Sequence, residues 1–216
     1  MTRSLYGDAI ERVRRREPLT LAAELQWRLL PPLTVVTPRV AVAGILAPAV
    51  EVAGDSFDYA VNGSTAHVAI LDAMGHGLEA TLLASVAISA LRNARRSEVP
   101  LADTVAAMDA AITAALGPDK FVTGIIGELD TVTGVWRWTT CGHPPALLVR
   151  NGQVVKVLDS VIGAPLGLGL LSGRAEIDSE RLEPGDRLVL YTDGVVEVRD
   201  AAGEFFTTER LVDFLV

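Results

Sequence analysis

The hydrophobic pattern predicts strands towards both ends of the chain and two long helices between them. Short apolar runs bounded by glycine, proline or asparagine are typical of β-strands. Asn62-Gly63 and Asn151-Gly152 stand between such runs, and Asn-Gly is a dipeptide that closes tight hairpins. The predicted strands lie near 40–45 and 59–61, and at 67–71, 121–129, 135–141, 146–149, 154–158, 176–182 and 187–191.

Apolar residues at helical spacing predict the helices. One helix starts at Leu78 and continues to Leu91, and a second runs from Leu101 to Ile112. A last helix begins at Thr207. Because hairpins are frequent and helices few, the regular β-α-β alternation of a parallel sheet is not expected. The pattern predicts an α+β fold in which helices pack against antiparallel sheets.

Residues 1–30 differ from the rest, and we expect them to form a linker or coupling helix beside a single domain at 31–216. Leucines recur at helical spacing from Leu21 to Leu29, and Pro31-Pro32 ends the pattern. Two interpretations stay open. The helix packs its leucine stripe on the domain, or it couples an upstream module to the domain or forms a homodimer.

Composition and charge narrow the possible functions. The chain has 216 residues, of which 50% are hydrophobic, so it can bury a substantial core. Its net charge of −8 argues against indiscriminate binding to nucleic acid or to an anionic membrane. The one cysteine, Cys141, excludes a disulfide within the chain. With no secretory signal and no run long enough to span a bilayer, we expect a cytoplasmic protein.

Three aspartates carry the candidate chemistry. Asp55, Asp72 and Asp193 each lie close to a glycine and are predicted at or just past the end of a strand. Each could simply form a turn, since Asp and Gly are common turn residues. Carboxylates brought together from separate strands repel one another unless a proton or a cation lies between them. Their oxygens suit Mg²⁺ or Mn²⁺, so we expect a metal site there.

No side chain stands out as a nucleophile. A cysteine phosphatase would need an arginine six residues after Cys141, where the chain has Leu147. A phosphate-binding P-loop, a serine-hydrolase elbow and a zinc-protease motif are also missing from the sequence. Water activated by two metal ions is therefore the expected attacking group. His76, between two glycines, either gives a proton to a leaving group or orders the loop and caps the helix, and His143 is expected to be structural.

Taken in order, the motifs resemble bacterial SpoIIE/RsbU-type serine phosphatases, which belong to the PP2C-like, metal-dependent PPM class. The resemblance covers about residues 25–216. The motifs that carry it are Leu25-Gln26, Leu30-Pro31, Ala53-Gly54-Asp55-Ser56-Phe57-Asp58, Asp72-x-x-Gly75-His76-Gly77, Phe121-x-Thr123, Cys141-Gly142-His143-Pro144-Pro145, Gly163-x-Pro165-Leu166-Gly167 and Tyr191-Thr192-Asp193-Gly194.

This resemblance implies a four-layer α-β-β-α sandwich with two central antiparallel sheets. It implies that two Mn²⁺ or Mg²⁺ ions support hydrolysis of a protein phosphoserine or phosphothreonine. Asp55, Asp72 and Asp193 match the family's metal aspartates, and Ala73 matches the residue that offers its backbone carbonyl. The implied substrate is a phosphorylated anti-anti-sigma protein of the STAS type. The N-terminal helix matches the place where the family joins a sensor domain or a second subunit.

Two departures from the family pattern bear on activity. The usual Gly-Gly-Asp-Phe-Tyr-Asp is here Ala53-Gly54-Asp55-Ser56-Phe57-Asp58. The family also has a further strand with an Asp-Asp-x-Thr motif, which is not found before Val216. Losing one carboxylate weakens a metal site, so reduced activity is expected. A non-catalytic signalling or binding module with the same fold is the alternative, and a hydrolase of small phosphoesters is a third possibility.

Overall fold

The computed structural model describes residues 20–47, 53–159, 163–170, 175–199 and 203–216. No helix within these ranges is long and apolar enough to cross a membrane. The helices are α1 Leu21–Leu29, α2 Gly77–Arg96, α3 Leu101–Leu116, α4 Asp193–Val196 and α5 Thr207–Leu215. The strands are β1 Thr34–Val36, β2 Ala41–Ala43, β3 Ala53–Asn62, β4 Thr65–His76, β5 Val122–Asp130, β6 Val135–Cys141, β7 Ala146–Arg150, β8 Gln153–Leu158, β9 Asp178–Arg181 and β10 Arg187–Val189.

Antiparallel pairing organises most strands into two main sheets. The larger sheet has the order β3-β4-β5-β6-β9 and the smaller has the order β10-β7-β8, while β1 and β2 form a separate pair. Both predicted Asn-Gly hairpins are present. Asn151 and Gly152 both have positive φ angles of 52° and 74°, which a tight hairpin turn between β7 and β8 requires.

Alternation along the strands places two apolar layers on opposite faces of the larger sheet. On β4, Ala69 and Leu71 pack against α2 and α3, whereas Val68 and Ile70 face the smaller sheet. The second layer contains the stacked rings of Trp136 and Trp138, together with Ala146, Leu148 and Leu158 of the smaller sheet. The hydrophobic core therefore lies on both sides of the larger sheet.

The outer face of the smaller sheet is covered by the last helix. On β7, Leu148 points to the larger sheet, while its neighbour Leu147 packs with Tyr191 and with Leu211 of α5. Helices, larger sheet, smaller sheet and helix thus follow one another as four layers. The predicted α+β, α-β-β-α sandwich is confirmed.

The N-terminal helix α1 begins after Thr20, whose hydroxyl accepts a hydrogen bond from the Ala23 amide at 3.2 Å. Its inward face consists of small and polar residues, because Ala22, Ala23 and Gln26 are buried. The interpretation that the leucine stripe packs on the domain is wrong for Leu21, which is 67% exposed. Close packing of α1 on α2 needs short side chains at the contact, which the alanines supply.

Asp58 joins α1, α2 and β3 from the helix side of the larger sheet. Its carboxylate is 2% exposed and accepts hydrogen bonds from Arg92 at 2.6 Å and from Arg95 at 2.8 Å. Arg92 also donates to the Leu29 carbonyl at the end of α1, at 2.6 Å. A cavity on this side is lined in part by Asp58 and Arg95 and contains none of the three candidate aspartates.

Neutralising Asp58 should destabilise the fold far more than neutralising a half-buried acid that pairs with an exposed lysine. We expect Asp58→Asn to lower the free energy of unfolding by about 3 kcal/mol, because two arginines would lose the counter-charge between them. Glu180→Gln is the matched control, since its partner Lys156 is exposed and such pairs contribute about 1 kcal/mol or less. Urea unfolding measures both. Equal losses in the two variants would contradict the expected role of Asp58.

Candidate metal centre

Asp55 and Asp72 lie directly opposite each other on neighbouring strands. They are register partners in the antiparallel β3–β4 pair, and residues in this relation have Cβ atoms about 4.5–5.5 Å apart. The expectation that both follow the end of a strand is wrong. Asp55 lies near the start of β3 and Asp72 lies inside β4, because pairing continues beyond the apolar residues. The hairpin register itself therefore brings the two carboxylates together.

Both side chains point towards the space between the two main sheets. Along β4, Val68 and Ile70 face the smaller sheet, and Asp72 continues that alternation, whereas Ala73 packs on the helix side. Asp55 shares the face of its register partner. The pair is half-buried at one end of the cleft between the sheets.

Asp193 reaches this place from the other sheet. It is the first residue of α4, which follows β10, and it is exposed. Its neighbours contact the pair: the Thr192 hydroxyl donates a hydrogen bond to the Asp55 carboxylate. A Cβ atom on Gly194 would lie 3.2 Å from Asp55 Oδ2. The structure thus brings the three predicted aspartates into one region, with Asp193 at its rim.

The electrostatics of this cluster favour a positive charge or a proton. Burial first, and then the charges of Asp55 and Asp193, together raise the pKa of Asp72 to about 7. Burial also raises the pKa of Asp55, the Thr192 hydrogen bond lowers it, and Asp193 raises it again. Without a cation, the cluster relieves its repulsion by retaining protons.

At Gly54 the backbones of β3 and β4 approach closely, so that the Ala73 carbonyl lies near Asp55 and Asp72. A Cβ atom at position 54 would lie 1.8 Å from the Ala73 oxygen, so only glycine allows this approach. The pairing also shifts here, because three residues of β4 lie opposite Gly54 between the register pairs Ala53–His76 and Asp55–Asp72. The altered first motif, which has Ala53, therefore keeps the glycine that the geometry needs.

The donor set fits a hard divalent cation in chemistry. Carboxylate and carbonyl oxygens are the ligands that Mg²⁺ and Mn²⁺ prefer, and Asp55, Asp72 and Ala73 supply them on adjacent strands. Among the residues that the structure describes, no three His, Cys, Asp or Glu side chains are already grouped as ligands. The arrangement is thus a close pair with a third carboxylate nearby, rather than a closed cage.

His76 lies at the rim, as the last residue of β4 and the residue that precedes α2. Its side chain is exposed and makes no capping hydrogen bond to the helix, so the helix-capping interpretation is wrong. Gly75 and Gly77 on either side have φ angles of 91° and 73°, which glycine adopts without strain. The backbone therefore turns sharply both before and after His76, where the chain passes from β4 into α2.

Two other candidate residues are buried. His143 is 4% exposed, and burial lowers its pKa to about 4, so its ring is neutral near pH 7. Burial raises the pKa of the Cys141 thiol to about 12, which leaves it protonated. The prediction that Cys141 is not a phosphatase nucleophile agrees with this environment.

Gln26 lies against the site, although no pattern in the sequence assigned it a chemical role. Its side-chain amide donates a hydrogen bond to the Asp55 backbone carbonyl at 2.6 Å, and Gln26 is 5% exposed. Because β3 is the outer strand of the larger sheet, this carbonyl lies where a helix can reach it. The signal available in the sequence was the position of Gln26 four and three residues after Ala22 and Ala23, which puts the three residues on one face of the helix.

Comparisons with known proteins agree with this geometry. A family model described as Stage II sporulation protein E (SpoIIE) matches residues 62–216. The chain is 21% identical to the phosphoserine phosphatase RsbU of Bacillus subtilis over 188 residues, which is 87% of this chain and 56% of RsbU.

Solved structures show the same fold. The structure of the RsbU and RsbW domains of a Mycobacterium tuberculosis protein has 30% identity and a TM-score of 0.65, covering 75% of this chain and 44% of that one. The SiaA-PP2C domain of Pseudomonas aeruginosa has 18% identity and a TM-score of 0.71, covering 99% of this chain and 84% of that domain. The chain spans only about half the length of RsbU and of the M. tuberculosis chain in that structure.

With divalent cations removed, we expect stability to fall as pH rises through the titration of Asp72. The unfolded chain releases this proton near pH 3.8, and the folded protein keeps it until about 7. Between these values the folded state binds more protons, so the free energy of unfolding decreases from about pH 4 to about pH 7 and then levels off. Urea unfolding in chelator measures the slope. Asp72→Asn should flatten it, and an unchanged slope in that variant would contradict the expected coupling.

Proposed function

The chain belongs to the SpoIIE family of PP2C-like proteins, and on that basis we propose that it is a metal-dependent protein serine/threonine phosphatase. One observation carries the proposal: the hairpin register sets Asp55 opposite Asp72 in a half-buried place that Asp193 also approaches. A protein that gathers three acids in this way needs a cation there to keep them ionised at neutral pH. The family and the chemistry of the donor atoms support the same assignment.

In this proposal, Asp55, Asp72, Asp193 and the Ala73 carbonyl hold Mn²⁺ or Mg²⁺, with two ions expected. Such ions, when bound, lower the pKa of a water molecule and stabilise charge on phosphoryl oxygens. The protein's own contribution is to fix the oxygens in place before the substrate arrives. The β3–β4 register fixes Asp55 and Asp72, and Gly54 fixes the Ala73 carbonyl.

His76 is the candidate proton donor to the leaving serine or threonine oxygen. It lies at the rim with an exposed side chain, within reach of solvent and of a bound protein. The N-terminus of α2 begins at the next residue, and the free amide groups of a helix start favour an anion such as a phosphate. His76 and the helix start thus suit the leaving group and the phosphoryl group respectively.

The proposed substrate is a phosphoserine or phosphothreonine on a partner protein, of the phosphorylated anti-anti-sigma STAS type. The similarity to a phosphoserine phosphatase and to a structure with RsbU and RsbW domains supports this choice. The exposed position of Asp193 and His76 leaves the rim open to a protein surface. A small phosphoester would need no such open rim.

We also propose that α1 links the site to an upstream sensor domain or to a second subunit. Leu21 is 67% exposed and Leu25 and Leu29 are half-buried, so the stripe is open to another surface at Leu21 and in part at the other two leucines. The buried face of α1 touches the site through Gln26. A displacement of the helix would therefore act on the Asp55 backbone directly.

Hydrolysis of p-nitrophenyl phosphate tests the proposed chemistry. We expect turnover that depends on Mn²⁺ and that falls by at least about 100-fold in Asp72→Asn and in Asp193→Asn, since each loses a ligand charge. Asp213→Asn is the matched control, because Asp213 is an exposed acid on α5 and should be dispensable. A chain that neither turns over the ester nor binds Mn²⁺ by calorimetry would favour the non-catalytic binding module instead.

Removing the Gln26 hydrogen bond should weaken the site without unfolding the domain. We expect Gln26→Met, which keeps the length of the side chain, to lower Mn²⁺ affinity by about 10-fold, the usual effect of losing a partner that orients a ligand. Gln153→Met, at an exposed position on β8, is the control. Isothermal titration with Mn²⁺ measures both. Unchanged affinity in Gln26→Met would contradict a role for α1 in setting the site.

A further inference from the structure

Three motifs of the sequence meet in one hydrogen-bonded chain, and the proposed chemistry does not use the residues that form it. His143, from the loop between β6 and β7, has one ring nitrogen, Nδ1, 2.9 Å from Thr123 Oγ1. Its other ring nitrogen, Nε2, lies 3.1 Å from the Tyr191 backbone carbonyl. The three residues belong to three separate segments of the chain, and the imidazole links them.

The partners determine the direction of each hydrogen bond. A carbonyl oxygen can only accept, so Nε2 of His143 must carry the hydrogen and donate to Tyr191. In the neutral ring Nδ1 is then an acceptor, and the Thr123 hydroxyl donates to it. Burial, which lowers the pKa of His143 to about 4, keeps the ring neutral near pH 7. The chain of bonds therefore runs in one direction, from Thr123 through His143 to Tyr191.

Each end of this chain lies beside a candidate metal ligand. Thr123 is the register partner of Asp72 in the β4–β5 pair, on the same face of the larger sheet. At the other end, Tyr191 is followed by Thr192, whose hydroxyl donates a hydrogen bond to the Asp55 carboxylate, and then by Asp193. The imidazole thus spans from the larger sheet, which carries Asp55 and Asp72, to the segment after β10, which carries Asp193.

The surroundings hold the imidazole in one orientation. His143 is 4% exposed and Tyr191 is 6% exposed, so neither can swing into solvent. Gly142 has a φ angle of 65°, and a Cβ atom there would lie 2.9 Å from Pro165 Cγ. The left-handed conformation of Gly142 turns the backbone so that His143 points into the interior. Two prolines follow His143 and stiffen the loop. Both ring nitrogens have partners, as a buried imidazole requires, and these partners fix the rotation of the ring.

We propose that Thr123 and His143 are positioning residues that set Asp193 at a fixed distance from Asp72. They touch no reacting atom, and they act through the Tyr191 carbonyl and the backbone that follows it. Without them the exposed Asp193 would be held by its short helix, by the contacts of Thr192 and by the packing of Tyr191 with Leu147 and Leu211. This inference rests on the proposed metal site, and its failure can be told apart from failure of that site.

The tautomer of His143 can be measured on the metal-free native protein. Long-range ¹H–¹⁵N NMR of ¹⁵N-histidine protein should show one of the three histidines with hydrogen on Nε2 alone, unchanged between about pH 6 and pH 8. A His143→Gln spectrum assigns the signal. An Nδ1–H tautomer in the native protein would overturn the proposed direction of the hydrogen bonds, whatever the metal affinity.

Paired substitutions then separate positioning from packing. Thr123→Val keeps the shape and removes the hydroxyl, whereas Thr123→Ser keeps the hydroxyl. We expect Thr123→Val to lower Mn²⁺ affinity by about 10-fold and Thr123→Ser to restore most of it, as for other residues that orient metal ligands. The KM for p-nitrophenyl phosphate at saturating Mn²⁺ should stay within about 2-fold, since neither residue touches the ester.

A second pair tests the two ends of the imidazole. The longer amide side chain introduced by His143→Gln can reach the Tyr191 carbonyl, and the shorter amide introduced by His143→Asn can reach only Thr123. We therefore expect His143→Gln to bind Mn²⁺ more tightly than His143→Asn. Equal Mn²⁺ affinity in the native chain, Thr123→Val and His143→Asn would overturn the positioning role. A native chain that binds no Mn²⁺ would instead overturn the proposed function, and the tautomer measurement would still decide the hydrogen-bond direction.

Discussion

Repulsion between carboxylates in a half-buried place is the constraint on which the site depends. The charges of Asp55 and Asp193 raise the pKa of Asp72, and the charge of Asp193 raises the pKa of Asp55, so the carboxylates are held together against their repulsion. Flexible side chains on loops would move apart. Here the hairpin register holds Asp55 and Asp72, because separating them would break the ladder of a long strand pair. The β3–β4 pair, a rigid part of the fold, thus carries the two carboxylates that lie directly opposite each other.

On the opposite face of β3, a buried carboxylate is neutralised by cationic side chains of the protein itself. Asp58, three residues after Asp55, is more deeply buried but has two arginines as partners. It needs no added ion, and it fastens α1 and α2 to β3. One strand therefore has a carboxylate paired with arginines on the helix side and, on the side of the cleft, a carboxylate for which we propose a cation as the partner.

Much of the fold could be predicted from the sequence, because its signals are local. Hairpins with Asn-Gly turns and the helical spacing after Leu78 and Leu101 each depend on neighbouring residues. The meeting of the three aspartates in one region could be predicted too, as could the approach of Ala73 by resemblance. Whether these residues bind metal stays a prediction.

What could not be predicted depends on contacts between distant segments. Nothing near Gln26 in the sequence indicates that its amide reaches the Asp55 carbonyl, and the same holds for Arg92 and Leu29. The leucine stripe of α1 gave a wrong position for Leu21, because periodicity reports a stripe without saying which surface covers it. The prediction placed Asp55 and Asp72 outside the strands because their neighbours have low strand propensity. In the structure, pairing with the neighbouring strand keeps these polar residues within β3 and β4.

The division of the site between two sheets has a consequence for how the protein is made. Asp55 and Asp72 lie on one hairpin and can meet as soon as that hairpin forms, whereas Asp193 is far along the chain, beyond β10. During synthesis the N-terminal half emerges first, so the nascent chain passes through a stage with two of the three carboxylates in place. The third arrives only when the smaller sheet docks on the larger one, a late event dominated by contacts distant in sequence. Completion of the site thus reports that the whole sandwich has closed.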